Sequence, residues 1–422
     1  MDFRSFFTIL ARIKLTDIEM RIIHTADWHL GQTFYSHDRT KEHELFLDWL
    51  CTTIKERKTD LMLIAGDVFD TQNPSAEAQR MYYSFLKRIT TENPGLQIIV
   101  TAGNHDSAAR IEAPSPLLND INVHVSGVVH YKNEDIDYEK MIIPITGNGC
   151  CLAVPYLRFS DLPEAESYSE GVAKMYSNLY ERAREKGYSP IIAMGHLQAS
   201  GAEVSVGDTS EHLIIGGMEG IDTGFANDGI AYTALGHLHR AQRVAHKENV
   251  RYSGSPLPMS FAELRNRQGV TEVIIENGTC NIENIHFDTP VKFVSIPEKP
   301  QAIDVVMNEI SGLPFGEPDD RAPYLEIKLL VTTIDPTIRQ RIEEALEGKY
   351  VRLVNISTTS NIVRGDGECR PMTYDEFKKA DPMVLIKEIY KRGEGKSMPQ
   401  HLEELLSEII KEIQNEDSSN KR

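Results

Sequence analysis

The chain has 422 residues and is 41% hydrophobic, enough for a sizeable core and for about two to three domains, since roughly 100–200 residues make one. Its 63 acids against 45 lysines and arginines leave a formal net charge of -18. This excludes a protein that coats nucleic acid by bulk charge, so any DNA contact has to use a local patch or a partner's surface.

No apolar run approaches the roughly 20 residues of a membrane span. Cys51, Cys150, Cys151, Cys280 and Cys369 have no CxxC spacing, which predicts a reducing, cytoplasmic setting where they act as small buried hydrophobes. In chain order, Met1–Glu19 carries a short apolar patch followed by Arg12, Lys14 and Asp17 without a small-residue cleavage site. It is expected to be an unstructured extension. From Met20, strand and helix alternate: strand Met20–Thr25, helix Lys41–Lys58, strand Asp60–Ala65, a helix from Pro74 behind a capping Asn73 to about Thr91, and strand Gln97–Thr101. That order implies a parallel sheet with helix-covered faces.

After Asp106, β-like pieces at Val123–Val125, Val128–Tyr131, Met141–Ile145 and Cys151–Val154 predict a second sheet, and a helix over about Glu170–Lys186 leads to the strand before His196. Gln242–Ala245, Val250–Ser253, Val270–Glu276 and Cys280–His286 read as antiparallel strands closing that second sheet. A boundary at Thr289-Pro290 separates this domain (20–288) from a small α+β module (289–357). In the module, strands Lys292–Pro297, Tyr324–Val331 and Val351–Ile356 alternate with helices Ile303–Gly312 and Pro336–Leu346. A polar linker (Thr358–Met372, extended to 380) precedes helices Pro382–Arg392 and Pro399–Asn415, and the tail Glu416–Arg422 is expected to be disordered. The last helix places Leu402, Leu405, Leu406, Ile409, Ile410 and Ile413 on one stripe, which suits packing on its own domain or docking on a partner helix. Gly393-Glu394-Gly395-Lys396-Ser397 imitates a phosphate loop, but Tyr390 stands where its first glycine belongs and a helix precedes it. No nucleotide site follows from it.

The chemistry lies at strand ends. The apolar run Leu61–Ala65 stops at Gly66-Asp67, which puts Asp67 where ligands bind in open α/β sheets. One Gly-Asp would be an ordinary turn. The device recurs four times: Ile22-Ile23-His24 leads to Asp27-Trp28-His29, Ile98-Ile99-Val100 to Gly103-Asn104-His105-Asp106, Ile191–Met194 to Gly195-His196, and Tyr232–Leu235 to Gly236-His237-Leu238-His239. A single histidine of this kind would be a satisfied core residue; the set is not. Asp27, His29, Asp67, Asn104, His196, His237 and His239, with His105 beside them, form a mixed carboxylate, carboxamide and imidazole set. It suits divalent Mn, Fe or Zn and lacks the thiolates of a structural zinc site. There are donors enough for two ions, and two ions sharing a carboxylate can clamp the attacking and leaving oxygens of phosphate displacement.

Asp27-x-His29, Gly66-Asp67-x-x-Asp70, Gly103-Asn104-His105-Asp106, Gly195-His196 and Gly236-His237-x-His239 together resemble the calcineurin-like metallophosphoesterase signature, in order. The flanking stretches His24–Gly31, Ala65–Thr71 and Gly254-Ser255-Pro256 narrow the resemblance to the bacterial SbcD nucleases, from Met20 to about Phe287. That resemblance implies an α/β fold, a two-sheet αββα metallophosphoesterase sandwich with a small α+β DNA-capping domain and C-terminal helices that bind SbcC, a coiled-coil ATPase. By motif position it implies one metal on Asp27, His29, Asp67 and His239, and another on Asp67, Asn104, His196 and His237. His105 would act on the leaving oxygen and Asp106 would orient it, while Asp70 is not among the usual ligands. The expectation is a cytoplasmic, Mn(2+)-dependent nuclease subunit acting on double-stranded DNA ends and hairpins, as a homodimer within a heterotetramer. Its rival is a phosphomonoesterase for small molecules or proteins on the same metals, and a non-catalytic scaffold is disfavoured because no ligand is missing.

Overall fold

The computed structural model describes residues 19–203, 220–226, 228–276, 279–331, 335 and 337–360, with positions 387, 390, 398, 399, 402, 403 and 406. The chain divides into two compact units, Met1–Asn361 and Ile362–Arg422. The expected N-terminal extension up to Ile18, most of the linker, the tail and the two C-terminal helices, apart from those positions, lie outside the described residues.

The first unit opens with β1 (Met20–Thr25), the hairpin strands β2 (Thr33–Phe34) and β3 (His37–Asp38), helix α1 (Thr40–Arg57), β4 (Leu61–Ala65), α2 (Ala76–Glu92) and β5 (Gln97–Thr101). Two short helices, α3 (Ala108–Glu112) and α4 (Ser115–Leu118), precede β6 (Val123–Ser126), a small hairpin of β7 (Tyr131–Lys132) and β8 (Asp135–Ile136), and β9 (Ile142–Ile145). Then come β10 (Gly149–Ala153), α5 (Tyr168–Glu185), β11 (Ile191–His196), β12 (Tyr232–Gly236), β13 (Gln242–Val244), β14 (Lys247–Tyr252), β15 (Gly269–Glu276) and β16 (Thr279–His286). Among the described residues one sheet runs in the order β16-β15-β1-β4-β5-β6 and the other β13-β14-β12-β11-β10-β9.

The strands facing the site read as continuous apolar runs because both of their faces are covered. Between the sheets, Ile22, Leu61, Leu63 and Ile99 meet Cys151, Ala153, Ile192, Met194 and Tyr232. Outside the first sheet, Phe46, Leu50 and Ile54 of α1 pack with Tyr82, Phe85 and Leu86 of α2; outside the second, α5 contributes Val172, Met175, Tyr176 and Leu179. The result is an αββα sandwich with its helices on the two outer faces. The second helix is capped two residues later than its sequence suggests: Ser75 Oγ accepts from Ala78 N at 3.1 Å, while Asn73 Oδ1 accepts from Arg110. Cys51, Cys150 and Cys151 are buried free thiols, and Cys280 is a half-buried one.

Two expectations are corrected. β15 and β16 do not close the second sheet: β15 pairs antiparallel with β1, so both extend the first, and β14 joins β12 in parallel. Hydrophobic pattern fixes which residues are strands, but an edge strand's sheet is decided by non-local pairing. Of the expected strand Val128–Tyr131 only Tyr131 is in a strand, at the start of the polar hairpin Tyr131–Ile136.

Beyond the sandwich, β17 (Phe293–Gln301), α6 (Ile303–Ser311), β18 (Tyr324–Val331), α7 (Ile338–Ala345) and β19 (Arg352–Ser360) form a parallel three-stranded module; its last strand continues four residues past the expected Ile356. Its junction with the sandwich is aromatic. The rings of Phe34, Phe293 and Tyr324 lie 4.7–5.3 Å apart, and Phe261 stands 5.1 Å from Phe293. Beneath them is a fully buried Arg39, bidentate to Glu42 at 3.1 and 2.9 Å and donating to Gln32 Oε1 and the Pro258 carbonyl. Glu42 Oε1 also accepts from Tyr324 Oη at 3.0 Å. A buried ion pair is costly to break from one side, because the charge left behind keeps its desolvation penalty. Arg39→Met should therefore destabilise the first unit by about 3–5 kcal/mol in urea unfolding; a loss below about 1 kcal/mol would mean that water replaces the guanidinium.

Candidate metal centre

Each candidate ligand stands at or just past the carboxyl end of a parallel strand, on the edge where the two sheets converge. After β1, Trp28 anchors the turn: its ring is buried against Phe46, Tyr82 and Phe85, Nε1 donates to Thr25 Oγ1 at 2.8 Å, and its carbonyl meets His43 Nε2 at 3.0 Å. The flanking Asp27 and His29 are thereby fixed. Their backbone N–H groups donate to the carbonyls of Gly66 and Asp67 at 3.1 and 3.0 Å, so the turns after β1 and β4 run side by side. Asp27, His29, Asp67 and His237 all take left-handed backbone conformations (φ 54, 47, 49 and 100°). For residues other than glycine these cost on the order of 1–3 kcal/mol each and persist only where the surroundings dictate them.

Two glycines permit the close approach. A Cβ on Gly103 would lie 2.1 Å from Asp67 Oδ1, and one on Gly236 would lie 1.9 Å from the Ala65 carbonyl of the opposite sheet.

Asp67 occupies the centre. Its Oδ2 is 3.2 Å from His196 Nε2 and 3.8 Å from His29 Nε2, and its Oδ1 accepts from His105 N at 2.8 Å. On one side Asp27, His29 and His239 bring ligand atoms within 4.8 Å of one another, as do Asp27, Asp67 and His196. On the other side Asn104 Oδ1 is 3.0 Å from His196 Nε2 and 3.1 Å from His237 Nδ1. His237 also ties the sheets together, its N–H donating to Asp27 Oδ1 at 2.9 Å.

Burial alone would raise the Asp67 carboxyl, but the imidazoles of His196, His29 and His105 outweigh it and hold that carboxyl well below its usual range. Asp27 goes the other way, raised by burial against the pull of His196 and His239. Burial would likewise strip the proton from His196, yet the Asp67 carboxylate raises it to about 9; His237, buried and beside His196, is lowered to about 3.

These side chains fit a cation. His196 Nδ1 lies 2.9 Å from the Ala65 carbonyl, which can only accept, so Nδ1 carries the proton and Nε2 points its lone pair at oxygens of Asp67 and Asn104. Such a convergence of acceptors repels itself unless a proton or a metal sits among them. Buried Asp27 Oδ2 and His29 Nε2 have no hydrogen-bond partner, as expected of atoms aimed at an ion.

The structure brings together Asp27, His29, Asp67, Asn104, His196, His237 and His239, with the half-buried His105 at their margin, its ring 4.8 Å from that of His29. The Asp106 carboxylate accepts from Gly103 N, Phe69 N and Val68 N at 2.9, 2.9 and 3.2 Å, tying together the turns that carry Asp67 and Asn104. Burial and the nearby Asp67 charge raise it to about 6 against those donors. The His105 ring is oriented by the Asp70 carbonyl, 2.9 Å from Nδ1, and the Asp70 carboxylate stands 3.4 Å from His29 Nδ1. Sequence reasoning missed Glu263, a buried acid whose Oε1 lies 3.1 Å from His239 Nδ1. Its one sequence signal is a lone acid closing the apolar, proline-bounded run Leu257–Ala262.

A strand-end cluster of this kind on an αββα sandwich defines a metal-dependent phosphoesterase, and the profile of the calcineurin-like phosphoesterases matches residues 20–241. A second profile, the type 5 capsule protein repressor C-terminal domain, matches 290–393. The SbcD subunit of the SbcCD nuclease from Rhodobacter capsulatus is 35% identical over 357 residues, covering 81% of this chain and 87% of the relative. Its namesakes from Escherichia coli K12 (35% identical, covering 63% of this chain and 68% of theirs) and Bacillus subtilis (33%, 61% and 67%) are also similar. The chain belongs to the SbcD nuclease subunits of the calcineurin-like phosphoesterases. It is a hydrolase that binds divalent metal, and among the described residues no helix is long and apolar enough to cross a membrane.

Because His196 carries a proton up to about pH 9 in the metal-free protein, metal has to displace that proton to reach Nε2. At pH 7.5, calorimetric titration in buffers of different ionisation enthalpy should show release of about one proton from this residue, and affinity should weaken as pH falls. Loss of the proton signal in His196→Gln identifies its source; wild-type release in that variant would assign it elsewhere.

Proposed function

We propose that this chain is the nuclease subunit of an SbcCD-type complex, a Mn(2+)-dependent phosphodiesterase that cuts double-stranded DNA ends and hairpins. The observation that carries this reading is Asp67, one buried carboxylate whose Oδ2 lies 3.8 Å from His29 Nε2 of the Asp27–His29–His239 group and 3.2 Å from His196 Nε2 of the Asn104–His196–His237 group. Asp27, His29, Asp67 and His239 would hold one ion, and Asp67, Asn104, His196 and His237 the other. Two divalent ions so held would neutralise the phosphoryl oxygens and clamp the attacking and leaving oxygens of an in-line displacement.

His105 is the proton-bearing group beside them. The Asp70 carbonyl keeps the proton on Nδ1, leaving Nε2 as the nitrogen that can take up a further proton and hand it to the leaving oxygen of the cleaved strand. Asp106 acts through the backbone by fixing the turn that holds Asn104 and His105. The chain's acidity and its missing phosphate loop both fit a partner, a coiled-coil ATPase of the SbcC type, that hydrolyses ATP and shares the DNA surface. Helices in 381–415 would bind that partner, the 289–357 module would cap DNA, and two copies would pair within a cytoplasmic heterotetramer.

Cleavage of a labelled hairpin, with and without the ATPase, against turnover of p-nitrophenyl phosphate tests the reading. Monoester turnover far exceeding DNA cleavage would favour a phosphomonoesterase. His105→Gln should keep its melting temperature and both ions while single-turnover cleavage falls roughly 10²–10⁴-fold; wild-type cutting would remove His105 from the mechanism, and lost metal would make it a ligand. Asp67→Asn should weaken two manganese sites in parallel, since one charge serves both. A variant that binds two ions at wild-type affinity would refute the bridge.

A further inference from the structure

Glu263 is almost fully buried, and each of its carboxylate oxygens is in use. Oε1 faces His239 Nδ1 at 3.1 Å, and Oε2 accepts from Met259 N at 3.2 Å and from Ser255 Oγ at 3.5 Å. A carboxylate only accepts, so the proton of the neutral His239 ring sits on Nδ1 and Nε2 is left as its donor atom toward Asp27 and His29. Glu263 is the last residue of a 3-10 turn, Phe261–Glu263, whose first residue points into the aromatic junction. Phe261 stands 5.8 Å from Phe34 of the sandwich and 5.1 Å from Phe293 of the C-terminal module. One three-residue turn thus touches a metal-ligand histidine at one end and the seat of the C-terminal module at the other.

We infer that Glu263 is a positioning residue that presents His239 Nε2 to the metal, and that its turn couples the seating of the module at β17 and β18 to one of the two metal positions. The inference rests on the two-metal reading of the site. Carboxylate partners of ligating histidines raise the ring's basicity and fix its orientation, and removing them typically costs 10–100-fold in metal affinity. The coupling is local to the His239 side: among the described residues, the contacts of Asn104, His196 and His237 run to the Ala65 carbonyl, Tyr156, Asp27, Asp67 and one another, and not to the turn.

Manganese titration of the full-length chain, by calorimetry and by electron paramagnetic resonance of bound Mn(2+), tests it without reference to cleavage. Glu263→Gln keeps the shape and removes the charge. It should weaken one site about 10–100-fold, leave the other at wild-type affinity, and melt within a few degrees of wild type in the absence of metal. Unchanged affinity at both sites, or parallel loss at both with a collapsed metal-free melting point, overturns the positioning role. Phe293→Ala, made on the module side, should weaken the same site by a smaller factor and add nothing further in the Glu263→Gln background. Fully additive effects overturn the coupling, and they remain readable if Glu263→Gln alone is poorly stable. Ser255→Ala, which removes only a long contact to Oε2, should leave both affinities unchanged; if it reproduces the Glu263→Gln pattern, the carboxylate acts on the turn rather than on His239. Failure of the wild-type chain to cut a hairpin would remove the nuclease reading while leaving the affinity measurements intact.

Discussion

Everything at the converging sheet edges depends on keeping the buried Asp67 carboxylate ionised. In an apolar interior a lone carboxylate takes up a proton, so its charge has to be maintained by cationic or hydrogen-bonding neighbours. His196, His29 and His105 do this, and they come from three different strand ends. The same charge raises His196 to about 9 and lifts Asp106 to about 6, so the protonation states of the cluster cannot be set one residue at a time. A bound divalent ion takes over the role of those protons, which links metal loading directly to proton release.

This electrostatic arrangement requires the backbones of two sheets to come unusually near. Gly236 meets the Ala65 carbonyl across the sandwich, and Gly103 meets Asp67 between adjacent turns; any side chain at either position would occupy the space of another atom. The Asp106 carboxylate then ties three backbone N–H groups of these turns together, and His43 and Trp28 secure the first. The apolar strands supply rigidity, the turns supply ligands, and a second tier of buried polar groups fixes the turns. Glu263 belongs to that tier, on a segment shared with the neighbouring module.

The strands that end in ligands were legible from sequence because covered parallel strands are continuous apolar runs and their carboxyl ends are marked by glycine followed by polar residues. Helices α1, α2, α5, α6 and α7 were legible to within a few residues, with the Ser75 cap misplaced because Asn73 and Ser75 are equally good capping residues by type. Sheet membership of β15 and β16 was not legible: an antiparallel hairpin of this pattern suits either sheet, and the open edge of β1 claims it. The backbone ties of Asp106 were not legible, because its partners include N–H groups on a turn nearly forty residues earlier, which leave no side-chain signature. Glu263 was missed for a similar reason, since its partner His239 lies 24 residues away on the far side of the β13–β14 hairpin.

The site also speaks against a purely structural role. Four non-glycine residues in left-handed conformations, each costing on the order of 1–3 kcal/mol, accompany buried and unpartnered atoms of Asp27 and His29 at about 1–3 kcal/mol each. Together these reach the order of 10 kcal/mol, comparable with the entire net stability of a domain. A scaffold would gain by relaxing the turns and replacing the acids and imidazoles with apolar residues, as buried charge clusters generally can be replaced. The arrangement is intelligible when a ligand that binds only the folded state returns the lost free energy, because such binding stabilises the fold in proportion to its affinity. Divalent cations do so while leaving the strain localised at the ligand-bearing turns, beside the one imidazole, His105, that neither proposed metal shell uses.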